Sequence, residues 1–380
     1  MTKMPEEQAR HRKAPSDLMQ IPIVWSYELL KYLRSWRLLA SIAIVVAILA
    51  LIYILPPALG RPYNGTDENV AIWVEDFSAL NMSMPGLIPP QSFGTINRSM
   101  IDLDSLQLYV NGTTYPSNNG ASWVFLQLDF ADELPSFMGG SPKLNAVVFM
   151  ENLTGSAVTA SYDWTTSKED FNSLFLGFVT ILVIICATLF AGDALVGEFQ
   201  NRTGYLIFPN PLKREVLFLG KFCASMTAGT LVVVLFYVGL ALLSFLTVHG
   251  IDDDFLASML FAVEFLLATT AVGYFISSIL KGSTGAIVLT FFLFVIILPI
   301  VDGVSSFAGV KIESSVTFAA NVITYIVLDP YPVDTSVEAF GFTIYSYYPS
   351  VSSAAIVMMV YTVVAMALSL IMFKRKQLTG

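Results

Sequence analysis

Six apolar runs dominate this 380-residue chain, at about 38–55, 171–192, 222–247, 256–280, 283–301 and 351–373. Each is close to the roughly 20 residues that a helix needs to cross the hydrocarbon core of a bilayer. Backbone in lipid must satisfy its own hydrogen bonds, so runs of this length fold as helices. Only 13% of the residues are charged, against about 25% in a typical soluble chain. The expected fold is an α-helical polytopic membrane protein with six transmembrane helices. Pro56-Pro57 follows the first run where a signal peptide would carry small residues, so that run reads as a retained span.

Basic residues orient such a chain, because Lys and Arg accumulate on the cytosolic side. With both termini in the cytosol, 15 of the 20 Lys and Arg residues lie on inner segments, beside seven acids. The outer segments then hold five basic residues against 21 of the 29 acids. The inner face carries +8 and the outer face −16, a split hidden by the net charge of −9. The expected location is the cell membrane, multi-pass, with no nucleic-acid partner.

Residues 1–21 read as a polar cytosolic tail. Residues 22–37, PIVWSYELLKYLRSWR, place Trp25, Leu29, Tyr32, Leu33 and Trp36 on one helical arc and Tyr27, Lys31, Arg34 and Ser35 opposite. That pattern suits an amphipathic elbow helix lying in the membrane interface, in contact with lipid. The plainer reading is an extension of the first span.

Residues 56–169 are long enough for an external domain. Strand-like runs at 70–74, 105–110, 123–130, 144–150 and 157–164 are separated by Asn-Gly and Gly-Gly turns. A β-rich external domain between the first two spans is expected. Cys186 and Cys223 lie in or beside apolar runs, so no disulfide staples it. Its sequons at Asn64, Asn81, Asn97, Asn111 and Asn152 are candidate glycosylation sites. A Ser/Thr-rich surface also makes sequons by chance. The second external region, 302–350, includes an apolar stretch at 316–328 that is too short to span and reads as re-entrant or as an outer-surface helix.

Catalytic patterns are missing. Gly220-Lys221 lacks the rest of a Walker A loop, and His11 and His249 are too few for a triad or a histidine metal centre. No enzyme activity, metal or cofactor is expected in this chain. Asp252–Asp254 reads as a solvated turn rather than a cation site. Glu264 stands inside the fourth run, with Ala268, Ala271 and Ser278 on its helical stripe. A carboxylate there should face protein or a wet cavity. It reads as part of a transport path, as a protonatable coupling group, or as a structural hydrogen bond.

The remaining feature is the inner connector 193–221, whose core reads EFQNRTGYLIFPNPLKREVLFLGK. Tyr205–Phe208 is an apolar patch that water does not favour. Pro209 and Pro211 break the helix. An apolar patch framed by charges makes a docking surface for a partner. Asn201 starts a sixth sequon, which should stay bare if this side is cytosolic.

Glu198-Phe199, Arg202-Thr203-Gly204, Pro211 to Arg214 and Gly220-Lys221, in this order, resemble the connector of permease subunits from ABC exporters of the second exporter type. The likeness extends over about 1–55 and 171–376. It implies a separate ATPase subunit, which binds ATP and Mg and docks on the connector. It also implies a second permease subunit, in a homodimer or heterodimer. Glu198, Arg202, Thr203, Gly204, Tyr205 and Phe208 are the implied contacts. Lys213 and Arg214 are implied anchors, or ordinary inner-face charges. The little charge among the spans favours a hydrophobic or lipid-like substrate. The competing class is a receptor or envelope scaffold that acts through its external domain without transporting.

Overall fold

The computed structural model describes residues 17–59, 63–72, 86–87, 105, 107–110, 113–116, 123–129, 143–149, 158–200, 213–339 and 342–375. Helix α1 is Asp17–Leu33 and α2 is Trp36–Ala58. Strands β1 Asn64–Ile72, β2 Gly86–Leu87, β3 Gln107–Val110, β4 Thr113–Pro116, β5 Trp123–Asp129, β6 Lys143–Phe149 and β7 Val158–Thr165 follow. Then come α3 Lys168–Leu176, α4 Val179–Ala191, α5 Val196–Gln200, α6 Arg214–Thr247, α7 Phe255–Ile279 and α8 Ser283–Phe292. The chain ends with α9 Leu298–Ala308, α10 Val316–Ala320, α11 Val322–Tyr325, the hairpin β8 Thr335–Ala339 and β9 Phe342–Ser346, and α12 Val351–Arg375.

Among the described residues, six helical stretches are long and apolar enough to cross a membrane: Trp36–Ala58, Lys168–Glu198, Arg214–Thr247, Phe255–Ile279, Ser283–Val304 and Val351–Arg375. The second and fourth are the most enclosed, and the first and fifth present most of their surface outward. Helix α7 packs against α4, α6, α8 and α12, with Phe265 and Tyr274 fully buried in that core. The third helix begins at Arg214 rather than at 222. Val216, Leu217 and Phe218 are buried and nothing after Pro211 breaks the helix, so the charged segment REVLFLGK joins the span.

Local chemistry sets the helix breaks. The first helix ends at Leu33, not at residue 37, because the Ser35 hydroxyl donates to the Tyr32 carbonyl at 2.7 Å and Ser35 is extended. Ser35 then begins α2. Trp36, expected on the apolar arc of the first helix, instead opens α2 and is 79% exposed. In the fifth stretch, Leu293–Ile297 is π-helical. Pro299 lacks an N–H and crowds the carbonyl of residue 295, which a wider turn relieves. Helices α10 and α11 are buried and together too short to span.

The strands between α2 and α3 form two antiparallel sheets, ordered β1-β7-β3-β4 and β2-β6-β5. Tyr63 fastens the first sheet to the bundle. Its hydroxyl donates to the Ile52 carbonyl at 2.7 Å, its carbonyl accepts from Thr166 N at 2.7 Å, and its ring packs edge-on against Phe171.

Candidate functional site

Helix α6 approaches α1 closely at Gly220. A Cβ on Gly220 would sit 2.6 Å from the Val24 side chain, so only glycine allows this crossing. The next residue, Lys221, is thereby held between α1 and the start of the connector. Its Nζ lies 2.8 Å from Glu28 Oε1 on α1 and 2.6 Å from Glu198 Oε1 on α5. Lys221 is 2% exposed, Glu28 6% and Glu198 8%. Lys31 lies 3.5 Å from the other Glu28 oxygen, which brings this group of four charges to neutrality. Ions are expensive to desolvate, and a cluster like this persists only with close geometry.

A second ion pair lies on the same side. The Arg37 guanidinium donates to both Asp193 oxygens at 2.7 and 2.6 Å and to the Leu189 carbonyl at 2.8 Å. Ser283 adds a 3.2 Å bond to Asp193, so α2, the end of α4 and the start of α8 meet here. The Ser277 hydroxyl accepts from the N–H groups of Leu195 and Val196 at 3.1 and 3.0 Å. Those amides open α5 and have no partner within the helix. A cavity of about 250 Å³ lies between the two charge clusters, lined by Lys31, Tyr32, Ser35, Arg37, Asp193, Ala194, Gly197, Glu198 and Lys221.

Hydroxyl contacts extend the lock into the core. Tyr32 donates to the Phe190 carbonyl at 3.0 Å and contacts Ser225 Oγ at 3.2 Å. Ser225 contacts the Tyr274 hydroxyl at 2.8 Å. Burial pushes the Tyr32 phenol above its ordinary pKa. Trp25 Nε1–H donates to Thr227 Oγ1 at 3.0 Å. The side of α1 that carries Val24, Trp25, Glu28 and Tyr32 therefore packs on α6, while Tyr27 and Leu33 are exposed.

The expected site residues fall differently. Glu198 points inward to Lys221. Arg202, Thr203, Gly204, Tyr205 and Phe208 lie outside the described residues. Lys213 is exposed at the start of α6. Arg214 donates to the Lys374 carbonyl at 2.9 Å, and Glu215 pairs with the Lys374 ammonium, so α6 and α12 are joined at their connector-side ends. Glu264 is half-buried, with Ala268, Ala271 and Ser278 buried along its stripe. Asn64 is exposed on β1, opposite Thr165, and its sequon Thr66 donates to Asp163 at 2.6 Å. Asn81, Asn97, Asn111, Asn152 and Asn201 lie outside the described residues. The turn 252–254 is not uniformly solvated: Asp253 and Asp254 are exposed, but Asp252 is buried against Asn172. Among the described residues, no group of three or more His, Cys, Asp or Glu side chains is placed to hold a metal ion.

Sequence reading noted Lys221 but missed Glu28 and the pairing of Lys221 with Glu28 and Glu198. The available signal was Val24–Glu28–Tyr32, a carboxylate set at i, i+4 spacing between apolar residues of one helical face.

No curated protein matches the chain. The family model described as ABC-2 family transporter protein matches residues 23–378. The match takes in α1 from residue 23 onward, all six spanning helices and the connector, and the chain belongs to the ABC-2 family of transporter permeases.

Proposed function

We propose that this chain is the membrane-spanning subunit of an ATP-driven exporter, with a separate ABC ATPase docking on residues 199–213. The observation that carries this reading is the Glu28–Lys221–Glu198 cluster. It ties both roots of the connector to α1, so force applied to the connector reaches α1, α5 and α6 together. In this reading Glu198 anchors the lever from inside, while Arg202, Thr203, Gly204, Tyr205 and Phe208 form the contact surface. Lys213 extends that surface, and Arg214 holds α6 to α12. ATP and Mg are bound by the ATPase, not by this chain.

The same reading places the connector in the cytosol with both termini, as the basic residues favour. The strands of 64–165 then form the external domain, and α1 lies at the inner interface. Two such subunits enclose the path of a hydrophobic or lipid-like substrate. Asn81, Asn97, Asn111 and Asn152 remain glycosylation candidates on the outer side. Asn64 is the poorest acceptor, because it sits in a paired strand rather than in a surface loop.

Co-purification in mild detergent tests the partner. Wild type should retain an ABC ATPase and stimulate its hydrolysis, and Gly204→Pro should insert normally but lose that stimulation. Retained stimulation in Gly204→Pro would remove the connector from the coupling role.

A further inference from the structure

At the end of the bundle opposite the connector, Asn172 on α3 faces Asp252 in the turn 248–254. Asn172 is fully buried and Asp252 is 6% exposed. The Asn172 amide donates from Nδ2 to Asp252 Oδ2 at 2.9 Å. The other oxygens, Asn172 Oδ1 and Asp252 Oδ1, are both buried with no hydrogen-bond partner among the described residues. Two buried acceptors on one hydrogen-bonded side-chain pair, with no donor among the described residues, form a costly arrangement. Turning the amide over does not cure it, because an amide oxygen would then face a carboxylate oxygen. One proton repairs both deficits: an Asp252 O–H donates to the Asn172 carbonyl oxygen while the Asn172 N–H bond is kept.

We infer that Asp252 holds a proton in the folded protein and closes a two-hydrogen-bond acid–amide ring with Asn172, which latches the 248–254 turn to α3. The charged groups acting on this carboxyl are Glu169 and Lys168 on α3 and Asp253 on the turn. His249 and Asp254 complete the titratable groups of the turn. Asp170 also lies on α3, and among the described residues the elements packed on α3 carry Tyr53 on α2, Tyr63 beside Phe171, Tyr237 on α6 and Tyr325 on α11. Burial, the largest influence, and the neighbouring acids raise the Asp252 pKa above its ordinary value of 3.8, while Asn172 and Lys168 oppose the rise. A raised folded-state pKa gives stability that is present in full below the unfolded value and is lost as pH rises through the folded value. The turn joins α6, which carries Lys221 at its other end, to α7. The latch is therefore a proton-binding site that stiffens the far end of the helix rooted at the connector.

The test compares the full-length wild type with Asp252→Asn in lipid nanodiscs, by thermal unfolding from pH 4 to pH 8. The introduced amide can make the same ring with no titratable group. The two proteins should unfold together at the acid end. Asp252→Asn should gain about 2 °C or more over wild type as pH rises. A difference that stays constant with pH would overturn the proposal. So would a wild-type gain at high pH that appears only with added calcium, which would assign the two oxygens to a cation. If Asp252→Asn does not fold, infrared titration of wild type, Asp253→Asn and Asp254→Asn decides. A protonated-carboxyl carbonyl band present in all three and lost as pH rises supports the latch, and its absence removes it.

Discussion

The ammonium of Lys221 lies 2.6 Å from the carboxylate of Glu198, although 22 residues separate them in the chain. One residue lies near the start of the connector 193–221 and the other is its last residue. Closing such a loop costs conformational entropy that grows only slowly with its length. A buried ion pair at its neck fixes where both strands leave the bundle. Glu28 on α1 shares the same ammonium at 2.8 Å, so the neck is fixed to the first helix as well.

Lys221→Met should be the most damaging single change at this site. It leaves Glu28 and Glu198 buried and facing each other with no intervening cation. Removing one member of a buried ion pair costs about 3–5 kcal/mol. Thermal unfolding of the permease reads the loss, and ATPase stimulation in the complex reads the coupling. Adding Glu28→Gln and Glu198→Gln should recover much of the stability without recovering stimulation. If Lys221→Met alone keeps wild-type stimulation, the cluster is structural packing and not part of a lever.

Gly220→Ala tests the crossing of α1 and α6 without touching a charge. The new methyl would lie 2.6 Å from the Val24 side chain. Overpacking of this kind costs about 1–3 kcal/mol. Val24→Gly removes the obstructing atoms at a helix-propensity cost of about 1 kcal/mol. A double-mutant cycle on unfolding free energy should show favourable coupling between the two changes. Independent, additive effects would mean that α1 does not rest on α6 at this turn.

Much of the architecture could be read from residue patterns, for identifiable physical reasons. The spans were legible because lipid demands uninterrupted apolar length, and 256–280 and 351–373 fall almost on α7 and α12. Strand positions such as 123–130 were legible through alternation beside turn residues. The start of α6 was not, because Arg214, Glu215 and Lys221 look like surface charge until Glu28, Glu198 and α12 are seen around them. Glu28 was obscured by the same logic: a lone acid between Tyr27 and Leu29 gives no sign that a lysine 193 residues later will neutralise it. Long-range ion pairs leave little periodic trace in a single sequence. The turn 252–254 failed for a related reason, since the partner of Asp252 is on α3, 80 residues earlier.

Arg37→Lys should not behave as a conservative change. The guanidinium makes two parallel bonds to Asp193 and a third to the Leu189 carbonyl, a geometry that a single ammonium cannot reproduce. Hydrogen bonds to charged groups each contribute about 1.5–3 kcal/mol. Loss of one such bond is the expected penalty, read as a lower unfolding temperature. Asp193→Asn should cost at least as much, because it leaves Arg37 without its counter-charge. Equal stability of Arg37→Lys and wild type would show that the pair is formed but contributes no net stability.

Glu264 offers a different kind of test, because it is half-buried in a spanning helix and its stripe mates Ala268, Ala271 and Ser278 are fully packed. A carboxylate in a span is costly unless it faces protein or water. If it lines the transport path, Glu264→Gln keeps the shape and the hydrogen-bonding capacity but abolishes titration. The variant should unfold at nearly the wild-type temperature, while the pH profile of stimulated ATP hydrolysis in nanodiscs flattens. Glu264→Leu separates this from a structural role. It should keep or raise the unfolding temperature, since it removes a polar group from the span, and it should reduce stimulated hydrolysis. A fall in unfolding temperature in both variants, with an unchanged pH profile, would make Glu264 a structural hydrogen-bonding residue and remove it from the path.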